Sequence, residues 1–271
     1  MKVLIYLKLL ELMLIVYKPE GWTPNQLIDY IKSNYLQYKD SKISFAGRLD
    51  PMARGLTILL IDDECKKQDT YIAKKKTYQS KLLLGVNTDT SDVLGIPTLI
   101  HQNGNLDNIE IETTIKSFIG KQNQDFPNYS AKYVKSKETG ERKPLWKWTK
   151  ENQLDKIEIP SKMIEIEDIT IINTNYINSM ELLEIIETKI NKLMGGDFRQ
   201  KEILEKWRQL LINNNQIWTI VELESLVSSG TYIRSLSHDI GDLLQIGGIA
   251  LDINRTKIDN IENINLDLGF N

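Results

Sequence analysis

The stretch Ser44-Phe-Ala-Gly-Arg-Leu-Asp-Pro-Met-Ala-Arg-Gly-Leu56 restricts this chain more than any other, because it fixes one carboxylate, Asp50, in a loop with little freedom. A residue that precedes proline is pushed out of the helical region toward extended backbone, so Pro51 limits Asp50. Gly47 and Gly55 bracket the loop and permit angles or close approaches that a side chain would block. The apolar run Leu56 to Ile61 follows at once and reads as a short buried strand or helix segment that anchors the loop. Asp-Pro is also an ordinary turn dipeptide, so the rest of the chain must decide whether the carboxylate serves chemistry or only a turn.

The flanking segments supply an ordered frame. Met1 to Val16 has 13 apolar residues of 16, but Lys2, Lys8 and Glu11 interrupt it well short of a membrane span, so it reads as a core strand or helix. Thr23, Pro24 and Gln26 have the spacing of an N-cap, a first-turn proline and a capping-box partner, which predicts a helix with Leu27, Ile28, Ile31 and Tyr35 inward. Lys66 to Lys76 is strongly basic and is expected to be helical. Tyr78 to Leu84 alternates as a strand, with Tyr78, Ser80, Leu82 and Leu84 on one face. Gly85 to Gly95 is a polar loop of hydroxyls and carboxylates, suited to capping or to ligand contact, and Asp89 and Asp92 lack the spacing of a helix-loop-helix calcium site. A helix over Ile109 to Ile119 and a strand over Met163 to Ile172 follow. Residues 180 to 213 then read as a helical hairpin broken at Gly195-Gly196, and Ile217 to Val227 returns to strand.

Charge and cysteine usage exclude several classes. The 271 residues, 41% of them apolar, can bury a sizeable core, and a formal charge of −3 provides no global field for nucleic acid. A polyanion site must therefore be local. Residues 131 to 150 carry seven cations against two acids, with Trp146 and Trp148 interleaved, a pattern that fits a solvated basic loop or a surface that neutralises phosphate and stacks on bases. Cys65 is the only cysteine, and His101 and His238 lie far apart, so neither an internal disulfide nor a thiolate or imidazole metal cluster is expected. Ser237, His238 and Asp239 are consecutive and would point in different directions on a helix, so they do not form a triad.

Ser228 to Leu236 is expected to enter a helix capped by Thr231, with Ile233, Leu236, Ile240 and Leu243 inward and Gly247-Gly248 as its stop. Arg234 then stands at the third helical position, facing the positive end of the helix dipole. Such a mismatch costs roughly 0.3–1 kcal/mol and is where an anionic partner is expected.

Five segments in this order resemble the TruB family of tRNA pseudouridine synthases. They are Tyr17-Lys-Pro-Glu-Gly-Trp-Thr23, the Gly47 to Gly55 loop, Lys76-Thr-Tyr78 with Leu84 to Gly95, Gln124 to Lys132, and Gly230-Thr-Tyr-Ile-Arg-Ser-Leu236. The resemblance implies an α+β fold, the pseudouridine synthase catalytic core, with a mixed and largely antiparallel sheet, flanking helices and an RNA-binding cleft. It implies isomerisation of a uridine to pseudouridine in RNA, the T-loop uridine of tRNA (position 55), without metal or organic cofactor. Matched position by position, Asp50 becomes the nucleophile or base, Tyr78 the residue stacked on the target uracil, and Arg234 the partner of the carboxylate. Lys18, Phe45, Arg48, Tyr232 and Lys132 become RNA contacts. A cytoplasmic monomer of one domain is expected, with no membrane association.

Two departures accompany the resemblance. Phe45 stands where the family has a histidine, so a wedge or stacking role in placing the RNA is expected of it. The helices near 180 to 213 are not usual in the smallest members and are expected as an insert that contacts RNA or a partner protein. The 14 residues after Lys257 are too few for the PUA RNA-binding domain that often ends such chains. An RNA-binding or tRNA-folding module without strong catalysis, and a synthase for a different RNA, are the alternatives.

Overall fold

The chain builds its sheet from strands separated by helices, as the alternation of apolar periods predicts. The computed structural model describes residues 5–6, 12–99, 107–212 and 214–261. Most of the Met1 to Val16 opening, His101 and the tail after residue 261, on which the expectation about a PUA domain rests, lie outside the described residues.

The first half contains β1 (Ile5–Tyr6), β2 (Met13–Lys18), α1 (Pro24–Asn34), β3 (Ile43–Ala46), β4 (Arg54–Ile61), α2 (Gln68–Ile72), β5 (Lys76–Leu84), β6 (Val86–Thr88), β7 (Pro97–Leu99) and α3 (Asn108–Ser117). The middle adds β8 (Gly120–Asp125), β9 (Tyr133–Lys135), β10 (Arg142–Pro144) and α4 (Leu145–Lys150). The last part contains β11 (Ser161–Asn178), α5 (Ser179–Asn191), α6 (Gln200–Leu211), β12 (Ile217–Val227), α7 (Ile233–Leu243) and β13 (Gly248–Ile258).

Among the described residues one large sheet runs in the order β1-β2-β4-β13-β5-β12-β11-β8, with β3 also paired to β4. Its neighbours are antiparallel except β4 and β13, which run parallel and pair only at Arg54 with Asn254 and Gly55 with Arg255. The architecture is the mixed, largely antiparallel α+β arrangement. Gly55 permits the parallel crossing. Its φ is +122°, and a Cβ there would lie 2.4 Å from the Arg255 carbonyl oxygen, so only glycine lets the two strands approach.

The principal core lies on the β5-β12-β13 region. Leu82, Val221 and Ile249 are buried there with Ile240 of α7, Leu182, Ile186 and Ile190 of α5, and Ile203, Trp207 and Leu211 of α6. The four-residue spacing on α5 and α6 puts each set on one helical face, which explains why both helices pack into the same core. Both helices start where the residues predict good caps or follow a turn: Asn178 accepts from the Met180 and Glu181 amides at 2.9 and 3.0 Å, closing a capping box with Glu181. Thr23, Pro24 and Gln26 open α1 in the expected manner.

Several local expectations are corrected. The Lys66 to Lys76 segment is not one helix: a 3-10 turn covers Asp62–Lys67, α2 is five residues long, and Lys76 already belongs to β5 with its side chain buried. The cap of α7 is Tyr232, because the Thr231 hydroxyl donates to the Ser228 carbonyl at 3.0 Å and is turned away from the helix. Arg234 is consequently the second helical residue. Leu244 fills the inward place expected of Leu243, which is exposed.

The basic segment divides its tryptophans between two environments. Trp148 is buried against Leu145 and Ile157, with its indole N–H donating to the Lys143 carbonyl at 3.1 Å, whereas Trp146 is exposed. Of the two, only Trp146 presents ring surface to solvent. Trp148 holds together the small core under the β9-β10 hairpin.

Candidate active site

The loop between β3 and β4 presents Asp50 at the wall of a cavity of about 310 Å³. Tyr78 of β5, Phe45, Arg48, Lys76 and Tyr232 line the same space. Three constraints hold the loop. Gly47 adopts φ +87°, the Ala53 amide donates back to the Asp50 carbonyl at 3.0 Å, and the buried Arg255 guanidinium donates to the carbonyls of Leu56 and Gly47 at 2.6 and 3.1 Å. A fourth comes from the N-terminal turn, where the Gly21 amide donates to the Pro51 carbonyl at 2.8 Å.

The carboxylate itself is oriented by Arg234. Arg234 Nε donates to Asp50 Oδ2 at 2.8 Å, across 184 residues of chain, and lies 3.4 Å from Asp92 Oδ2. Its other nitrogens donate to the Thr90 carbonyl at 2.7 Å and the Tyr129 carbonyl at 3.4 Å. Arg234 is 3% exposed, so its charge cannot be solvated and depends on these acceptors. Burial works against that charge, yet Asp50 and Asp92 together hold its pKa above the ordinary value. The dipole mismatch in the first turn of α7 therefore has its anionic partners.

Asp92 is the functional neighbour that sequence reasoning did not separate from the acids and hydroxyls around it. It is buried, and accepts from the Thr90 hydroxyl at 2.7 Å and the Leu94 amide at 2.9 Å. Burial raises its pKa to about 6 against the pull of Arg234, with the charge of Asp50 adding to the rise. Of the two carboxylates that share Arg234, Asp92 is sealed in the loop, and Asp50, 26% exposed, faces the cavity. The only signal in the sequence was the Thr90-x-Asp92-x-Leu94 pattern of a side chain folded onto its own loop.

The other predicted residues fall into two groups. Tyr78 is a buried ring on the cavity wall, and Phe45 is half-buried with the Arg48 guanidinium 5.2 Å from its ring centre. Tyr232 has both its backbone amide and carbonyl bonded to the Gln124 side chain, at 2.7 and 3.1 Å, and meets the Phe126 ring edge-on at 5.6 Å. Lys132 is exposed, 4.8 Å over the Phe126 ring. Lys18 stands apart. It is fully buried, donating to the Trp22 and Pro19 carbonyls at 2.7 and 3.0 Å, so it pins the N-terminal turn and cannot reach a phosphate.

Burial lowers the Lys18 pKa to about 7, with Asp50 opposing the fall. Between about 7 and the ordinary 10.5, the unfolded chain binds a proton that the folded chain does not, so stability rises with pH there. Replacing Lys18 by Met is expected to flatten that slope by up to about 1.4 kcal/mol per pH unit. Lys76, whose pKa burial and Arg255 lower to about 8, retains its own contribution at the alkaline end. Urea unfolding of both proteins at about pH 7.5 and about pH 9.5 measures the difference, and equal slopes would reject the assignment.

A second cavity, of about 380 Å³, shares Arg48, Leu49 and Asp50 with the first, so the loop forms a partition between two spaces. Among the described residues no group of three or more His, Cys, Asp and Glu side chains gathers as a metal ligand set, and no helix is long and apolar enough to cross a membrane.

Chemically, the arrangement is a carboxylate paired with and aimed by a buried guanidinium, facing a cavity with an aromatic wall and cations around it. Comparison with known proteins gives the same direction. The family described as TruB family pseudouridylate synthase (N terminal domain) matches residues 34–189, more than half of the chain, a span that includes Asp50, Tyr78 and Asp92. tRNA pseudouridine synthase B of Aquifex aeolicus (strain VF5) is 29% identical over 248 residues, 92% of this chain and 68% of its own length. The protein of that name from Thermotoga petrophila is 29% identical over 245 residues, 90% of this chain and 62% of its own length. The chain thus spans about two thirds of the length of these relatives. A solved chain from a Cbf5-Nop10-Gar1 complex has the same fold, with a TM-score of 0.52 at 17% identity over 89% of this chain and 47% of that one.

Proposed function

The chain belongs to the TruB family of pseudouridylate synthases, and from that premise we propose that it isomerises a specific uridine of RNA to pseudouridine, the T-loop uridine of tRNA being the target. The observation that carries this reading is the Asp50–Arg234 pair opening on the cavity that Tyr78 lines. A pure RNA binder has no use for a carboxylate aimed by a buried guanidinium at the wall of a pocket.

In this reading a uridine stacked within RNA is flipped into the cavity, because its ribose cannot otherwise be reached. Tyr78 stacks on the uracil. Asp50 acts on the ribose while the bond from C1′ to N1 breaks. As nucleophile it bonds to C1′ and leaves again when the uracil has turned and the bond from C1′ to C5 forms; as base it takes a ribose proton and returns it at that point. The C5 proton leaves and N1 gains one, so the reaction consumes nothing and needs no electron carrier. Arg48 and Lys132 at the exposed rim, with Phe45 and Tyr232, meet the RNA; Arg48 and Lys132 neutralise phosphate and the aromatic pair contacts bases. The chain acts as one catalytic unit, a monomer in the cytoplasm, in which α5 and α6 are an insertion between β11 and β12.

Incubating the protein with unmodified tRNA transcript and mapping pseudouridine tests the proposal. One site of conversion in the T loop is the expected result. Conversion elsewhere in RNA keeps the chemistry and replaces the target, whereas tight binding without conversion replaces the enzyme by an RNA-folding module. Mapping total RNA from cells with and without the protein extends the test to every RNA present.

A further inference from the structure

Near its end, α5 sets one nearly sealed ammonium between two supports of the catalytic loop. Lys189, in the last turn of α5, has its side chain 11% exposed and its Nζ 2.5 Å from Glu20 Oε1 and 2.7 Å from Asp252 Oδ1. Both carboxylates are themselves nearly sealed, Glu20 at 8% and Asp252 at 7%. Each leads to the half of the loop that follows Asp50. Glu20 belongs to the turn whose next residue, Gly21, donates to the Pro51 carbonyl. Asp252, on β13, also pairs with Arg54, the residue at which the loop enters β4. One cation of α5 therefore joins the supports of Pro51 and Arg54.

The contact leaves no slack. The Met194 amide, just past α5, donates to the Gly21 carbonyl at 3.1 Å, and a Cβ at Gly21 would lie 2.0 Å from the Lys192 carbonyl oxygen. Lys192 adds a second ion pair to Glu20 at 2.7 Å. Burial penalises the charge of Asp252, but Lys189 and Arg54 outweigh it and hold the carboxyl below the usual range. A hairpin that only extended the surface would not need two buried carboxylates facing its last turn, since such groups are stable only when paired.

We propose that Lys189 is a positioning residue for Asp50, and that the hairpin is a working brace of the catalytic loop. The proposal rests on the isomerase reading above. Without the ammonium, Glu20 keeps only Lys192 and Asp252 only Arg54, so nothing joins the two supports, the Gly21–Pro51 hydrogen bond loosens, and the Asp50 carboxylate samples directions away from the ribose. Displacement of a reacting group on the scale of 1 Å costs about a hundredfold in rate, so a looser loop is expected to cost about tenfold or more.

The test compares wild type, Lys189→Met, Lys189→Arg and Glu20→Gln as full chains, with kcat and KM measured on tRNA transcript and hydrogen exchange measured over residues 47–55. Lys189→Met is expected to lower kcat about tenfold or more with KM within about twofold, and Lys189→Arg to recover most of the loss. The Ala53 amide, bonded to the Asp50 carbonyl, should exchange about tenfold faster in Lys189→Met. A folded variant whose kcat stays within about twofold of wild type, or whose KM alone moves, overturns the proposal, as does unchanged exchange in the loop. Should Lys189→Met fail to fold, Glu20→Gln, which leaves the Asp252 pair intact, carries the same expectation at about threefold in kcat. Wild type without any conversion would reject the isomerase reading, while the exchange measurement still decides whether α5 braces the loop.

Discussion

Asp50→Asn is expected to lower pseudouridine formation by at least about a thousandfold while leaving the fold and RNA binding in place. The substitution keeps the shape of the side chain and removes its charge. Arg234 Nε can still donate to the amide oxygen, and Asp92 still faces the guanidinium, so the packing of α7 against the loop has no reason to change. What disappears is the one carboxylate that faces the cavity. Neither role assigned to Asp50, attack on the ribose or removal of a proton from it, is available to a carboxamide. The measurement is a time course on tRNA transcript with RNA affinity determined in parallel. Conversion within about tenfold of wild type would place the chemistry on another group.

Arg234→Met is expected to have the largest combined effect, because it removes activity and stability together. Breaking a buried ion pair by deleting one partner costs about 3–5 kcal/mol, and here the deletion leaves Asp92 sealed and unpaired. Arg234→Lys does not restore the site, since one ammonium cannot reach Asp50 and the Thr90 and Tyr129 carbonyls in the planar fork that arginine provides. The pH dependence identifies the mechanism. The Asp92 carboxyl already titrates at about 6, above its ordinary 3.8, so the folded chain binds a proton there that the unfolded chain does not, and acidification favours the fold in that interval. Removing Arg234 raises that pKa further. The stability deficit of Arg234→Met relative to wild type is therefore expected to shrink between about pH 8 and about pH 5 in urea unfolding. A deficit that is constant or grows on acidification would mean that the lost packing of the side chain, not the stranded carboxylates, sets the cost.

The residues that could be read from sequence are those whose constraint is local. The proline after Asp50, the glycines around it and the cation in the first turn of a helix each leave a mark within a few positions. Glycine at 195 and 196 likewise divides α5 from α6, and the apolar four-residue spacing on each helix gives its inner face. What could not be read depends on contacts across the chain. Lys18 and Lys132 look alike as letters, yet one is sealed under the Trp22 carbonyl and the other is exposed. Trp146 and Trp148 sit two residues apart on a six-residue helix, which turns one out and the other in. Asp92 was one acid among several in a polar loop, and only the arrival of Arg234, well over a hundred positions later, sets it apart. The docking of α5 was hidden for the same reason, since the partners of Lys189 lie 169 and 63 residues away.

The ion pair between Asp50 and Arg234 also sets when in the life of the molecule the site can exist. Its two halves are 184 residues apart, and the strands between them pair through non-local ladders that form slowly during folding. During synthesis, which runs from the N-terminus, the carboxylate emerges long before its guanidinium. A chain halted ahead of α7 carries the complete Asp50 loop with no cation to aim it and no Arg255 beneath it. The oriented carboxylate thus belongs to a chain made at least as far as α7, and the loop beneath it is tied down only once Arg255 of β13 has arrived.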